Sequence, residues 1–141
     1  MKKFHLNDKI DIIGFKASTN NKKEMSVDGV IPKLWAKFCQ SELFTQDVKY
    51  GVYFNYQDRH FADYDIMVGI NSKPCDKFDS VAIESGKYIV FEKSGEIHKI
   101  VPELWGEIWN FFETSDIKRA YKTDFEKYTD QNRVEIYISI V

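Results

Sequence analysis

Ile31-Pro32-Lys33-Leu34-Trp35 and Val101-Pro102-Glu103-Leu104-Trp105 are one pentapeptide pattern met twice, 70 residues apart. The 141-residue chain holds only three Pro and three Trp, and each copy takes one of each at the same place. At that same offset Asp65-Ile66-Met67-Val68-Gly69-Ile70 aligns with Glu135-Ile136-Tyr137-Ile138-Ser139-Ile140. Two matches at one spacing mark an internal duplication. Units this long do not stack as a solenoid. They predict a pseudo-twofold pair within one domain, residues 1–141, with repeat units at about 9–72 and 80–141.

Each unit reads the same way from its periodicity. In the first, Lys9 to Ser18 carries the β-rich run Ile10, Ile12, Ile13 and Phe15, followed by a polar loop over Thr19 to Glu24. A helix starts near Val30, with Pro32 in its first turn, where the missing N–H costs little. Ile31, Leu34, Trp35 and Phe38 fall at i, i+3, i+4 and i+7, a single apolar stripe. Two strands follow, Tyr50 to Gln57 and Asp63 to Asn71, about the polar turn Asp58-Arg59-His60. The second unit has a strand or hairpin through Val81 to Phe91, broken at Ser85-Gly86 and ended by Ser94-Gly95. Its helix spans about Ile97 to Phe112, with Val101, Leu104, Trp105, Ile108 and Phe112 as its stripe. Strands at Asp124 to Thr129 and Arg133 to Val141 close it about Asp130-Gln131-Asn132. Strand–helix–strand–strand, twice, predicts an α+β fold: an antiparallel sheet with two main helices on one face.

Composition narrows the function. Apolar residues make up 43% and the charges nearly cancel, 20 Lys+Arg against 22 Asp+Glu, so the chain can offset its ordering entropy and fold. A net charge of −2 lacks the basic face of a dedicated nucleic-acid binder. No apolar run approaches the length of a membrane span, and the Met1-Lys2-Lys3-Phe4-His5-Leu6-Asn7-Asp8 start is charged again too soon for a signal peptide. A soluble, cytoplasmic protein is expected. Cys39 and Cys75 have neither disulfide-framework nor zinc spacing and read as reduced packing residues. Eight Tyr, each with an apolar ring and a wet end, suit sheet edges or the wall of a cavity.

Four motifs in order carry a resemblance: Gly86-Lys87-Tyr88-Ile89-Val90-Phe91, Pro102-Glu103-Leu104-Trp105, Phe125-Glu126-Lys127-Tyr128 and Glu135-Ile136-Tyr137-Ile138-Ser139-Ile140. With the duplication, the chain from Ile10 to Ile140 resembles the effector-binding domain of AraC-type transcription activators, the GyrI-like small-molecule-binding domain. The resemblance implies a ligand cleft between the halves. In multidrug-sensing relatives that cleft is aromatic and carries one acid that meets cationic, lipophilic drugs; the acid is the Glu of F-E-x-Y, here Glu126. Regulators of this type carry a helix-turn-helix segment, for which there is no room before Ile10 or after Val141. The chain therefore resembles the stand-alone members, and direct nucleic-acid binding is not expected.

The candidate site follows. On a strand Glu126 and Tyr128 share one face while Phe125 and Lys127 take the other, so Phe125 can enter the core with Glu126 turned away from it. A carboxylate among aromatic rings in a partly dry cleft attracts a delocalised cation; the plain alternative is a solvated strand Glu paired with a Lys. Trp35 and Trp105 are equivalent by the duplication. On pattern alone both are core, yet a pocket on the pseudo-twofold axis would be lined by equivalent residues. Trp109 is a weaker candidate and reads as core. Tyr137, its counterpart Met67, and Tyr53 alternate with apolar faces and could line the cleft, or simply pair across strands on an exposed face. His60-Phe61-Ala62-Asp63-Tyr64-Asp65 fits no metal template and reads as a solvated turn. Neither a nucleophile elbow nor a phosphate loop is present, and no cofactor is implied.

Three functions are compatible with this site. The first is a binding module that captures an amphipathic, cationic aromatic small molecule between Trp35, Tyr53, Trp105 and Tyr137, with Glu126 as counter-charge, for sensing through a separate protein partner or for sequestration. The second is a GyrI-like hydrolase of strained electrophiles, in which Glu126 assists water and Tyr128 or Tyr137 faces the leaving group. The third is a protein-interaction module resembling a gyrase inhibitor, which would act through its surface. A free sheet edge leaves oligomer formation open.

Overall fold

A computed structural model describes residues 1–141. Its eight strands are β1 (Lys2–Leu6), β2 (Ile10–Thr19), β3 (Lys49–Phe54), β4 (Tyr64–Asn71), β5 (Asp79–Ile83), β6 (Gly86–Ser94), β7 (Asp124–Asp130) and β8 (Arg133–Ser139). The helices are α1 (Asn21–Glu24), α2 (Ile31–Cys39) and α3 (Ile97–Thr114), with a 3₁₀ turn at Glu42–Thr45. All strands join one antiparallel sheet in the order β1-β6-β8-β7-β3-β4-β2-β5. Read from its centre outward, the order is the duplication: β7-β8-β6 on one side and β3-β4-β2 on the other, with β3 and β7 paired across the pseudo-twofold axis.

Two differences from the sequence reading lie at the sheet edges. Val81 to Phe91 is not a hairpin: β5 pairs β2 and β6 pairs β1, so consecutive strands sit at opposite ends of the order. β1 itself, Lys2-Lys3-Phe4-His5-Leu6, is too short and too polar to carry a strand signal, because an edge strand need bury little. The polar loop after β2 also folds its middle into α1, capped by Asn20 Oδ1 on the Lys23 N–H at 2.7 Å.

Short links force the sheet to curl. Leu6 to Ile10 can span at most about 14 Å, whereas β1 and β2 would stand about 29 Å apart in a flat sheet. The link from Ile83 to Gly86 imposes the same on β5 and β6. The inner face is accordingly shared by both ends of the order: Ile12, Val52, Met67, Ile83, Tyr88 and Phe125 form one buried cluster.

Both main helices lie on the outer face. α2 packs Leu34 and Phe38 on Ile13, Ile66, Val68 and Ile70 of its own half. α3 packs Ile100, Leu104 and Ile108 on Ile89, Ile136 and Ile138 of the other. Pro32 sits in the first turn of α2, but Pro102 lies inside α3, which begins one turn earlier than its counterpart. The two helices thus flank the central β3–β7 pair, and the side chains of that pair point up between them. No helix is long and apolar enough to cross a membrane.

Candidate functional site

Three ladders fix which side chains share the central strip. Gly51 lies opposite Glu126, Tyr53 opposite Asp124 and Lys49 opposite Tyr128, while Ile66 flanks Tyr53 and Ile136 flanks Glu126. Since Ile66 and Ile136 face the helices, so do Gly51, Tyr53, Glu126 and Tyr128. Trp35 of α2 and Trp105 of α3, one from each half, meet this strip from either side. Trp35 stands edge-on to Tyr128 at 5.2 Å between centroids, and Trp105 edge-on to Tyr53 at 5.3 Å.

Glu126 is at the centre of this aromatic ring and only 3% exposed. Its Oε2 accepts from Trp105 Nε1 at 2.7 Å and from the Tyr53 hydroxyl at 3.0 Å; its Oε1 accepts from the Tyr128 hydroxyl at 2.7 Å. All three donors are neutral. Burial raises the Glu126 carboxyl above the ordinary carboxylate range, and the hydrogen bonds from Trp105, Tyr128 and Tyr53 oppose that rise only in part. Burial, reinforced by the Glu126 charge, also drives both tyrosines well above the usual phenol value, so they stay protonated as donors.

Asp124, two residues earlier on the same face, shows the contrast. It is fully buried, but its Oδ2 receives Arg119 Nη2 and the Tyr56 hydroxyl, each at 2.7 Å, and its Oδ1 receives the N–H and hydroxyl of Ser139 at 2.8 and 3.0 Å. Asp124 is neutralised by an ion pair; Glu126 has polar donors and no cation.

The structure brings Glu126, Tyr128, Tyr53, Trp105 and Trp35 together. Two other expected members lie elsewhere. Met67 and Tyr137 pair with Val52 and Phe125, on the inner face, where Met67 is wholly buried and Tyr137 stacks on Phe125 at 4.3 Å. Their alternation holds, but the residues that converge on Glu126 lie on the helix face, not opposite it. Both sheet faces are buried here, so Phe125 enters one core while Glu126 stays under the helices. Trp109 is 46% exposed rather than core, with its ring 6.5 Å from Trp105 at the rim of the strip. The segment from His60 is an exposed turn leading into β4, as expected, but His60 itself is half-buried, its Nδ1 2.8 Å from the Tyr121 hydroxyl. Cys39 and Cys75 are exposed and free rather than packed.

Gly51 is the site residue the sequence reading missed. An isolated glycine inside a strand is a signal of close approach, and here the Glu126 carboxylate packs on its bare Cα: a Cβ would stand 2.9 Å from Oε1. A surface concavity of about 670 Å³ lies away from these residues, between Lys3, Lys87 and Lys118 over Phe4, Tyr88 and Ile140. It contains none of the groups that converge on Glu126.

Comparison with known proteins finds relatives along nearly the whole chain. The family described as integron-associated effector binding protein, Cass2, matches residues 6–140. YobU of Bacillus subtilis (strain 168), named as a candidate transcriptional regulator, is 30% identical over 146 residues, covering 90% of this chain and 89% of that protein. Among solved structures, the integron cassette protein VCH_CASS2 from the mobile metagenome of Vibrio cholerae superposes with a TM-score of 0.91 at 33% identity, over 99% of this chain and 95% of that one. SAV2435, solved bound to tetraphenylphosphonium, shares the fold with a TM-score of 0.78 at 17% identity, over 99% and 93% of the two chains. A duplicated sheet with a ring of aromatic residues between its halves, matched along nearly its whole length, makes this chain a member of the Cass2 family of GyrI-like effector-binding proteins.

Proposed function

We propose that this protein captures a single amphipathic aromatic cation in the strip between α2 and α3, with Glu126 as its counter-charge, for sensing or sequestration. One observation carries the reading: a buried carboxylate held by three neutral donors and paired with no positive group. Burying a charge without a partner is costly. A lipophilic cation repays part of that cost, because it sheds its weak hydration easily and gains both the carboxylate and the faces of Trp35, Trp105, Tyr53 and Tyr128. A metal ion or a small ammonium would lose more hydration than a ring of aromatic side chains returns. That SAV2435, with the same fold, binds tetraphenylphosphonium supports a ligand of this class.

Specificity within the class should be broad, since aromatic faces read shape loosely and one carboxylate reads only sign. The test is a titration followed by Trp fluorescence, comparing tetraphenylphosphonium with tetraphenylborate, which has nearly the same shape and the opposite charge. Wild type should bind the phosphonium, and Glu126→Gln should weaken it by at least tenfold, about 1.4 kcal/mol. Equal binding of both ions, or equal affinity in both proteins, would remove Glu126 from the site. Consumption of electrophilic aromatic compounds incubated with the wild type, and not with Glu126→Gln, would favour the hydrolase instead.

A further inference from the structure

We infer that a second ligand site lies at the β1 edge of the sheet and takes an amphipathic oxyanion, an organic sulfonate, carboxylate or phosphate with an apolar body. It is separate from Glu126 and does not depend on the cation reading. Strand parity builds it. Lys3 pairs with Ile89, which packs under α3, and His5 pairs with Lys87 two residues away. Lys3, His5 and Lys87 therefore face outward, on the helix side of the sheet. Ile140 stands opposite Lys87, donating its N–H to the Lys87 carbonyl at 3.0 Å, and its side chain joins the cluster under α3.

α3 covers β6 and β8 at Ile89, Ile136 and Ile138, then ends at Thr114. It leaves Lys3, His5 and Lys87 exposed. The chain after α3 turns back beside them, so that Asp116, Ile117 and Lys118 wall the other side of the concavity of about 670 Å³. That is room of the size small-molecule sites occupy. Main-chain pairing fixes the frame. Val141 N–H donates to the Lys118 carbonyl at 3.0 Å, and Arg119 bridges Ile140, so Lys87 and Lys118 are held on either side of Ile140.

The charge here departs from that of the whole chain, which has 22 acidic residues against 20 basic ones. Three lysines border the concavity, and Asp116 is the one acidic side chain among its walls. None of the three is in an ion pair, whereas Lys9, Lys77 and Lys93 all are. Like charges round one hollow repel one another, and an oxyanion among them relieves that repulsion. Each ammonium offers three donors to its oxygens, while Ile117 and Ile140 meet the apolar body. Tetraphenylborate, its charge wrapped in phenyl groups, presents no oxygen and should not be held here.

The probe is anilinonaphthalene sulfonate, which brightens on leaving water, set against phenylnaphthylamine, the same rings without the anionic head. Wild type should hold the sulfonate roughly tenfold more tightly than the amine. The triple variant Lys3→Gln, Lys87→Gln, Lys118→Gln, altered only at exposed and unpaired positions, should lose that advantage with its far-UV spectrum unchanged. Asp116→Asn should tighten binding, a gain that general damage to the fold would not give. Glu126→Gln should bind the sulfonate as wild type does. No binding to wild type, equal binding of sulfonate and amine, or an unchanged affinity in the triple variant overturns the inference. Displacement of the probe by an equal concentration of inorganic sulfate overturns the role of the apolar body. Sulfonate binding altered in Glu126→Gln would put the probe in the aromatic strip and also overturn the inference. The cation reading is judged separately, by tetraphenylphosphonium alone.

Discussion

Asp124 and Glu126 stand two residues apart on one face of β7, both closed off from water, and only one of them has a cation. For Asp124 the Arg119 guanidinium repays desolvation, so Arg119→Met would strand a charge whose surroundings are fixed. That substitution should cost about 3–5 kcal/mol, read as a lowered denaturant midpoint. Glu126→Gln should do the opposite of harm. The glutamine carbonyl can accept from Trp105 and Tyr53, and its amide can donate to Tyr128 once that hydroxyl turns round, so the network survives without the uncompensated charge. Its melting temperature at pH 7 should be no lower than that of wild type. In the sequence, Asp124-Phe125-Glu126 presents two carboxylates alike. Strand parity places Glu126 beside Tyr128, as found, but which acid is neutralised depends on Arg119, in a stretch without periodicity. Parity also separates Met67 and Tyr137 from their apolar neighbours. It cannot say which face lies under the helices when both are buried.

Elements divide the same way, into those that show themselves locally and those made by distant pairing. α2 and α3 are legible because their apolar stripes must meet a sheet. β1 is not: Lys2-Lys3-Phe4-His5-Leu6 is an edge, and of these only Leu6 packs on the inner cluster. β5 and β6 are adjacent in sequence and invite a hairpin, yet β5 pairs with β2 of the first half while β6 sits between β1 and β8. The glycines of β2 and β4 are a more reliable local sign. Gly14 and Gly69 face one another, and a methyl on Gly69 would overlap the Ile13 carbonyl oxygen at 1.9 Å. Gly69→Ala must therefore part the β2–β4 ladder beneath α2, at a cost of roughly 3 kcal/mol. A fall in urea midpoint at unchanged m-value is the expected result. Gly51→Ala, whose methyl would press on the Glu126 carboxylate at 2.9 Å rather than on backbone, should lower the midpoint less than Gly69→Ala.

At the scale of the molecule, the duplication builds a symmetric frame and then breaks its symmetry at one charge. The register that matches Val52 to Phe125 also matches Tyr53 to Glu126, so the second copy of the site acid is a phenol that donates a hydrogen bond to it. The frame therefore carries one free negative charge, and its protonation couples folding to binding. Because burial raises the folded-state carboxyl, the native chain keeps a proton at pH values where the unfolded chain has already released it. Ligand-free stability should accordingly fall as pH rises from the ordinary carboxylate value through the raised one, and level off above it. A bound cation favours the ionised form, so binding in that window expels the proton and affinity should rise with pH, then plateau. At a hundredfold excess over its dissociation constant the ligand adds about 2.7 kcal/mol. Melting curves of wild type with and without tetraphenylphosphonium should thus diverge as pH increases. In Glu126→Gln the ligand-induced shift should be smaller and independent of pH across this window, and neither curve should carry this titration. A ligand-induced shift in wild type that is constant across the window would mean that the cation does not meet Glu126.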